Sequence, residues 1–176
     1  MRAQVTAGLR RASDSLPAAL QIVIAVVASY AIAHFLLGHA TPLIAVTVTI
    51  TSLGMARDAR PRRVLETAIG VTLGIALSEV IVLVIGKGGW QLAIVLFATL
   101  VITRAVSANP AFAVAAAVQS TLVVLLPDPP GGPFPRSLDA LVAGAVALAA
   151  TALIPRDPAR AATRDRRALF AVLRES

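Results

Sequence analysis

The sequence has no cysteine, only two histidines and few aromatic residues, and each shortage excludes a class of function. Without cysteine there is no thiolate metal site and no indication of the redox compartment. His34 and His39 are too few for a histidine-based metal centre without several carboxylates nearby, so we expect neither a metal nor a cofactor. An aromatic content of 4% leaves little surface on which nucleic-acid bases could stack.

Charged residues are also scarce, at 14% of 176 residues against about 25% in a typical soluble domain. Hydrophobic residues make up 57%, and the mean hydropathy is +0.83. A soluble protein of this size could not bury so much apolar surface. The composition therefore predicts a membrane protein whose principal partner is the lipid bilayer.

Six apolar runs predict an all-α, polytopic membrane protein with six transmembrane helices, each ideally about 20 residues long. The predicted spans cover residues 16–37, 42–56, 64–85, 90–106, 110–126 and 137–154, which together form a transmembrane domain over 16–155. Residues 1–15 precede it, and a basic tail with a short helix follows at 156–176. The alternative for the first run is a cleaved signal peptide, although the run exceeds the usual signal core of 7–15 residues.

The second run is short and alternates aliphatic residues with Thr47, Thr49 and Thr51. In a soluble protein this period of two indicates a strand, but an isolated strand cannot cross lipid because its backbone would go unpaired. We therefore predict a helix whose hydroxyl groups bond to its own carbonyls or to neighbouring helices. It is either a broken, cavity-lining helix or an ordinary packed one.

The basic residues are strongly asymmetric across six spans. With both termini on one side, that side holds fourteen of the sixteen Lys and Arg residues, and the other side holds Lys87 and Arg136. The positive-inside rule then places both termini in the cytoplasm. The same asymmetry accounts for the net charge of +7 without a nucleic-acid partner.

Two sequence relations suggest that spans one to three and four to six are inverted three-helix repeats. Thr41-Pro42 corresponds to Asn109-Pro110, and Arg63-x-Leu65-Glu66 corresponds to Arg136-x-Leu138-Asp139. Inverted repeats are common in secondary transporters, whose sites lie near the midplane. The alternative is that these matches arise by chance in a sequence of low complexity.

Ionisable residues within a span are costly and are therefore functional candidates. Glu79 lies in the outer half of the third span, and Tyr30 and His34 lie one helical turn apart in the first. A carboxylate and an imidazole at similar depth could relay a proton. The alternative is that Glu79 and His34 reach the headgroups and are simply solvated.

Further polar residues define a candidate substrate pathway. Gln119 is the deepest candidate, and we expect it to face a cavity because an amide in lipid requires a partner. Thr47 and Thr51 complete a continuous file of polar residues towards Glu79. Arg63 and Arg136 either attract anions to the entrances of a pathway on the two membrane faces or anchor their helices at the membrane interface.

Two intrahelical ion pairs are expected from the spacing of charges, Arg62 with Glu66 and Arg136 with Asp139. Gly70 and Gly74 form a Gly-x-x-x-Gly pair, which predicts close helix packing, and we assign the same role to Gly144. No hydrolase, metalloprotease or nucleotide-binding signature is present, so we do not expect an enzyme.

The motif Arg62-Arg63-x2-Glu66-x3-Gly70-x3-Gly74 resembles the fusaric acid resistance-type and aromatic acid exporter families. The end of the sixth span adds Arg136-x2-Asp139-x4-Gly144 and the closing residues 154–158. The resemblance covers most of residues 16–158. The plant aluminium-activated malate channels look like distant relatives.

This resemblance implies a six-helix unit in a bacterial inner membrane that exports organic, aromatic carboxylic acid anions as a dimer. The chain departs from larger members of these families in having one six-span unit and a short tail. Transport would then require that two copies associate, or the sequence is part of a longer protein. The alternative function is a non-transporting membrane anchor whose tail binds a cytoplasmic partner or anionic lipid.

Overall fold

The computed structural model of the chain describes residues 2–54, 61–129, 132 and 134–153, and every regular element in them is helical. The six α-helices are α1 Arg2–Ala31, α2 Leu43–Leu53, α3 Pro61–Ile85, α4 Gly89–Val106, α5 Pro110–Leu125 and α6 Pro135–Leu153. A π-helical turn, Ile32–Leu36, extends α1. The all-α prediction is confirmed for these residues, while the predicted tail helix lies outside them.

Helix α1 begins at Arg2, whereas the sequence predicted that residues 1–15 lie outside the first helical span. The early residues include Ala, Leu, Arg and Gln, which are strong helix formers, so the helix extends beyond its apolar part. Pro17 lies inside it and removes one backbone donor. The apolar window of this helix, Ser15–Leu36, closely matches the first predicted span.

Length and hydropathy qualify four described helical segments as membrane spans: Ser15–Leu36, Pro61–Ile85, Gly89–Val106 and Pro135–Leu153. Helices α2 and α5 are apolar but shorter, with 11 and 16 residues. At 1.5 Å per residue, α2 covers about 16 Å, roughly half of the hydrocarbon core. Six complete crossings therefore remain a prediction.

Helices α3 and α6 pack against each other at the centre of the bundle. Helix α5 packs on α3, and α4 packs on the outside of α5. In the same way, α2 packs on α6, and α1 packs on the outside of α2. Four helices supply the main apolar core, which consists of Ile44, Val48, Val71, Ile75, Val123, Ala140 and Ala143. The outer pairs α1–α2 and α4–α5 thus have equivalent places around the central pair.

Helix α1 directs polar side chains inward and apolar side chains outward. Gln21 and Ser29 are buried, and Gln21 Nε2 donates to Ala150 O at 2.8 Å, whereas Val23 and Val27 are 58% and 61% exposed. Such a distribution is unfavourable in water. It is favourable in lipid, because polar groups there find partners only inside the protein.

The three glycines assigned to helix packing lie at close contacts between helices. A methyl group placed on Gly70 would lie 1.8 Å from Cζ of Phe112. Methyl groups on Gly74 and Gly144 would each lie 3.1 Å from the nearest side-chain carbon of a neighbouring helix. Gly70 is therefore the position least tolerant of a side chain.

Candidate functional site

Glu79 lies near the C-terminal end of α3 and is only 7% exposed. Its Oε1 accepts the backbone N–H of Arg136 at 3.3 Å, and its Oε2 accepts the hydroxyl of Ser137. Both partners belong to the first turn of α6, where backbone N–H groups lack intrahelical acceptors and the helix dipole favours an anion. The carboxylate is therefore held as a cap from a neighbouring helix and is not simply solvated.

Arg136 makes the complementary contact with the end of α5. Its guanidinium donates to Val123 O at 2.9 Å, to Leu126 O at 3.2 Å and to Pro127 O at 2.6 Å. These carbonyls end the helix and lack intrahelical donors. With 6% exposure, the side chain is a buried clamp instead of the open mouth or interfacial anchor that the sequence suggested.

A second cation ties the same region to the turn between α3 and α4. Lys87 Nζ donates to Leu126 O at 2.8 Å and lies 2.5 Å from Oδ1 of Asp128. The hydrogen bond from Lys87 lowers the pKa of Asp128, which lies in the loop that follows α5. The C-terminal end of α5 therefore lies close to two cations and two acids: Lys87, Arg136, Glu79 and Asp128.

A cavity of about 320 Å³ lies beside these groups. Glu79, Asp128 and Arg136 supply its charged lining, and Val82, Leu83, Val123 and Phe134 are among its apolar residues. Its size is at the lower end of the roughly 300–1,000 Å³ range of small-molecule sites. The cavity can accommodate an apolar body together with a polar or ionisable group.

A part-buried imidazole–carboxylate pair is present, but it does not consist of His34 and Glu79, for which a proton relay was one of the two interpretations. Nδ1 of His39 lies 2.6 Å from Oδ1 of Asp139, whereas Nδ1 of His34 lies 2.9 Å from the backbone oxygen of His39. His34 stacks on Tyr30 with ring centroids 5.5 Å apart, which agrees with their predicted shared face. Within the described residues, no hydrogen bond joins His34 to Glu79.

The intrahelical pair expected between Arg136 and Asp139 is absent among the described residues. Both side chains turn towards other helices, Arg136 to the end of α5 and Asp139 to the connection between α1 and α2. Burial places both side chains against neighbouring segments, which offer them other partners. The other expected pair is present, with Arg62 Nε 2.9 Å from Oε1 of Glu66, and Arg63 is exposed on the same helix.

Helices α2 and α5 meet through the polar residues that were assigned to a pathway. The Thr47 hydroxyl donates to Oε1 of Gln119 at 3.0 Å, and Gln119 is 1% exposed. Thr51 donates to Thr47 O at 2.7 Å, and Thr49 donates to Ala45 O at the same distance. The helical reading of the threonine-rich run is thereby confirmed.

Buried hydroxyl pairs that the sequence did not single out connect the outer helices to their neighbours. Ser29 Oγ lies 2.7 Å from Thr49 Oγ1, and Thr99 Oγ1 lies 3.1 Å from Ser120 Oγ. Ser120 also donates to Gly74 O at 3.2 Å. The available signal was weak, because isolated Ser and Thr residues in apolar helices usually bond to their own backbone.

No described hydrogen bond links the Thr47–Gln119 contact to Glu79. Val123 lies one turn beyond Gln119, Ile75 lies one turn before Glu79, and both belong to the same apolar core. The polar file predicted through Thr47, Thr51, Gln119 and Glu79 is therefore interrupted. In this conformation of one chain, aliphatic side chains separate the two polar sites.

Residues 16–150 match the fusaric acid resistance protein-like family. The chain belongs to this family. Its membership, together with several apolar helices long enough to span a bilayer, makes it a multi-pass membrane protein of a transporter family. The resemblance drawn from the Arg-rich and Gly-x-x-x-Gly motif is thus confirmed.

A curated relative from Corynebacterium glutamicum, described as an uncharacterized protein, is 30% identical to this family member over 131 residues. The match covers 74% of this chain and 34% of the relative, so the chain spans about one third of the relative's length. No solved structure matches the chain.

Proposed function

We propose that this family member exports or conducts organic, in particular aromatic, carboxylic acid anions across a bacterial inner membrane. The observation that carries the proposal is the buried Glu79 and Arg136 beside a cavity of about 320 Å³. Buried ionisable groups in a membrane protein are expensive and mark functional sites by default. The family description, fusaric acid resistance protein-like, names resistance to an organic acid.

In this proposal the chain crosses the membrane six times, with α2 and α5 as short inner helices and both termini in the cytoplasm. The unequal distribution of basic residues supports this orientation, since Lys87 and Arg136 lie at one end and the arginines of α3 and α4 at the other. The Thr47–Gln119 contact supports a site where the two short helices meet.

We further propose that helices α1–α3 and α4–α6 are inverted repeats. The buried positions Gln21, Ala25 and Ser29 of α1 recur as Gln91, Val95 and Thr99 of α4, each 70 residues later. The contact of Ser29 with α2 has its counterpart in the contact of Thr99 with α5. The equivalent packing of the outer pairs around α3 and α6 also supports a twofold relation.

The proposed exporter works as a homodimer. Aliphatic residues interrupt the polar file within one chain, so two copies would be needed to complete a pathway. Glu79 would exchange protons at the cavity, where Arg136 and Asp128 are its charged neighbours.

A flux assay in proteoliposomes tests this function. The purified chain should release a fluorescent aromatic carboxylate, and Glu79→Gln should reduce the rate at least tenfold, because the neutral amide cannot exchange a proton. Glu66→Gln is the matched control, since Glu66 lies on the same helix but is exposed and paired with Arg62. It should retain the wild-type rate.

Two outcomes would contradict the proposal. A wild-type chain without flux above empty vesicles would remove the transport function. Equal rates for wild type, Glu79→Gln and Glu66→Gln would leave transport but remove Glu79 from it.

The core of Ile, Val and Ala between the polar sites favours a second candidate, a non-transporting membrane anchor or assembly module. In that case the basic tail at 156–176 would bind a cytoplasmic protein or anionic lipid. The tail lies outside the described residues. Absence of flux together with loss of membrane-surface or partner binding on deletion of the tail would favour the anchor.

A further inference from the structure

The charged groups around the cavity at the start of α6 balance one another. Glu79, Asp128 and Arg136 line this cavity, and Nζ of Lys87 lies 2.5 Å from Oδ1 of Asp128. These two acids and two cations come from α3, the turn after α3, the segment after α5 and the first turn of α6. A fully ionised ligand carboxylate would therefore add a negative charge that no further cation of the described lining offsets.

The two cations already direct most of their hydrogen-bond donors to protein atoms. The Arg136 guanidinium donates one N–H from Nη1 and two from Nη2 to backbone carbonyls at the end of α5, out of five N–H groups in all. Lys87 donates to Leu126 O and pairs with Asp128. Among the described residues, Nε–H and the second Nη1–H of Arg136 have no acceptor, and a neutral carbonyl oxygen is sufficient for them.

Glu79 can accept further hydrogen bonds but cannot donate any when it is ionised. Its two oxygens accept one bond each, from the backbone N–H of Arg136 and the hydroxyl of Ser137, whereas a carboxylate has about four acceptor positions. The side chain is buried, so water screens its charge poorly. When two carboxyl groups share a site of this kind, repulsion between the two anions makes one of them retain a proton.

Given the proposed transport of aromatic acids, on which this inference rests, we propose that the cavity binds such an acid together with one proton, held between the ligand carboxyl and Glu79. The hydroxyl of the neutral acid donates to Glu79, and its carbonyl oxygen accepts from the Arg136 guanidinium. The aromatic ring lies against Val82, Leu83 and Phe134. The anion lacks the donor that Glu79 requires, and an aromatic ammonium ion lacks the acceptor that Arg136 requires.

Equilibrium dialysis of the full chain in detergent, with radiolabelled benzoic acid and benzamide as probes, tests for the proton. Benzamide has the same ring, a donor and an acceptor, but it does not titrate. A carboxylic acid has a pKa of about 4, so binding of benzoic acid should weaken about tenfold for each unit from pH 5 to pH 7. Binding of benzamide should stay constant, which separates titration of the ligand from titration of Glu79, Asp128 or Lys87. Displacement by excess unlabelled benzamide distinguishes this binding from partition into micelles.

Glu79→Gln should change the preference for the neutral ligand. The glutamine amide donates as well as accepts and carries no charge. This variant should therefore bind benzoate at pH 7 several-fold more tightly than wild type, and its affinity should vary less with pH. A merely structural role of Glu79 would instead weaken the binding of both probes.

A pair of tryptophan variants locates the binding in the cavity. Leu83→Trp should fill the cavity and abolish displaceable binding of both probes. Val84→Trp should retain it, because Val84 is exposed on the same helix but does not line the cavity. Equal binding by these two variants, or no displaceable binding to wild type, would overturn the site even if Glu79→Gln failed to fold.

The form of the ligand and the transport function can fail separately. Benzoic acid binding that does not change between pH 5 and pH 7, or benzylamine binding as tight as that of benzamide, would overturn the neutral ligand and leave transport to the flux assay. Binding with the expected pH dependence but without flux in proteoliposomes would support the shared proton and remove only the transport function.

Discussion

Replacing Arg136 by leucine is expected to lower the free energy of unfolding in detergent by about 3–5 kcal/mol. The substitution removes the donors to Val123 O, Leu126 O and Pro127 O and leaves the Glu79 carboxylate buried without the nearby guanidinium. Removing one partner from a buried set of charged and hydrogen-bonded groups costs folding free energy, because the carbonyl and carboxylate groups that remain cannot be solvated by water. Unfolding by heat or by SDS, followed by circular dichroism, measures the change.

Arg62→Leu is the matched control for this prediction. The side chain of Arg62 is 89% exposed in its pair with Glu66, and exposed ion pairs contribute about 0–1 kcal/mol. Arg136→Lys should fall between wild type and Arg136→Leu, because an ammonium keeps the charge but loses the planar fork. Equal and small effects of Arg136→Leu and Arg62→Leu would contradict the buried clamp.

The second large effect is expected for Gly70→Ala, at about 1–3 kcal/mol of destabilisation from overpacking. The added methyl would lie 1.8 Å from Cζ and 2.6 Å from Cε1 of Phe112, so the ring or one of the helices must move. Thermal unfolding of the purified variant in detergent measures the loss.

Gly89→Ala and a compensating variant separate this contact from a general effect of removing glycine. A methyl on Gly89 meets no atom of the described residues within 4 Å, so Gly89→Ala should change stability by less than about 0.5 kcal/mol. Phe112→Leu should recover part of the stability of Gly70→Ala, because it removes the clashing ring. The packing assignment would be untenable if Gly70→Ala were as neutral as Gly89→Ala.

The positions of the helices could be predicted from the sequence because apolar runs of this length have no alternative structure in lipid. The predicted starts at residues 64, 90 and 110 lie within three residues of the observed starts of α3, α4 and α5. The first predicted span, from residue 16, agrees with the apolar window Ser15–Leu36, and α1 extends back to Arg2 because the residues before that window can continue the helix. The tail helix lies outside the described residues.

The side-chain partners could be predicted only where they lie on one helix. Arg62 and Glu66 are four residues apart, so spacing alone brings them together. The pairing of Asp139 with His39 joins residues 100 positions apart and depends on how α6 is rotated against the connection after α1. A single sequence does not specify that rotation, so the suggested relay between Glu79 and His34 rested on their similar depth alone.

Glu79 and Arg136 were recognised as candidates from charge in an apolar context, but their roles required the structure. Each caps the end of a neighbouring helix, and no local motif records such a contact. Burial by the surrounding helices then turns two apparently interfacial charges into a fixed pair of caps beside a cavity.

Cysteine labelling across the membrane tests most directly whether this chain is a multi-pass protein with its arginines on the cytoplasmic side. The sequence has no native cysteine, so Pro129→Cys and Ser176→Cys each provide a single reporter. A membrane-impermeant maleimide should label Pro129→Cys in intact cells and Ser176→Cys only after permeabilisation. Labelling of both reporters from the same compartment would contradict the account.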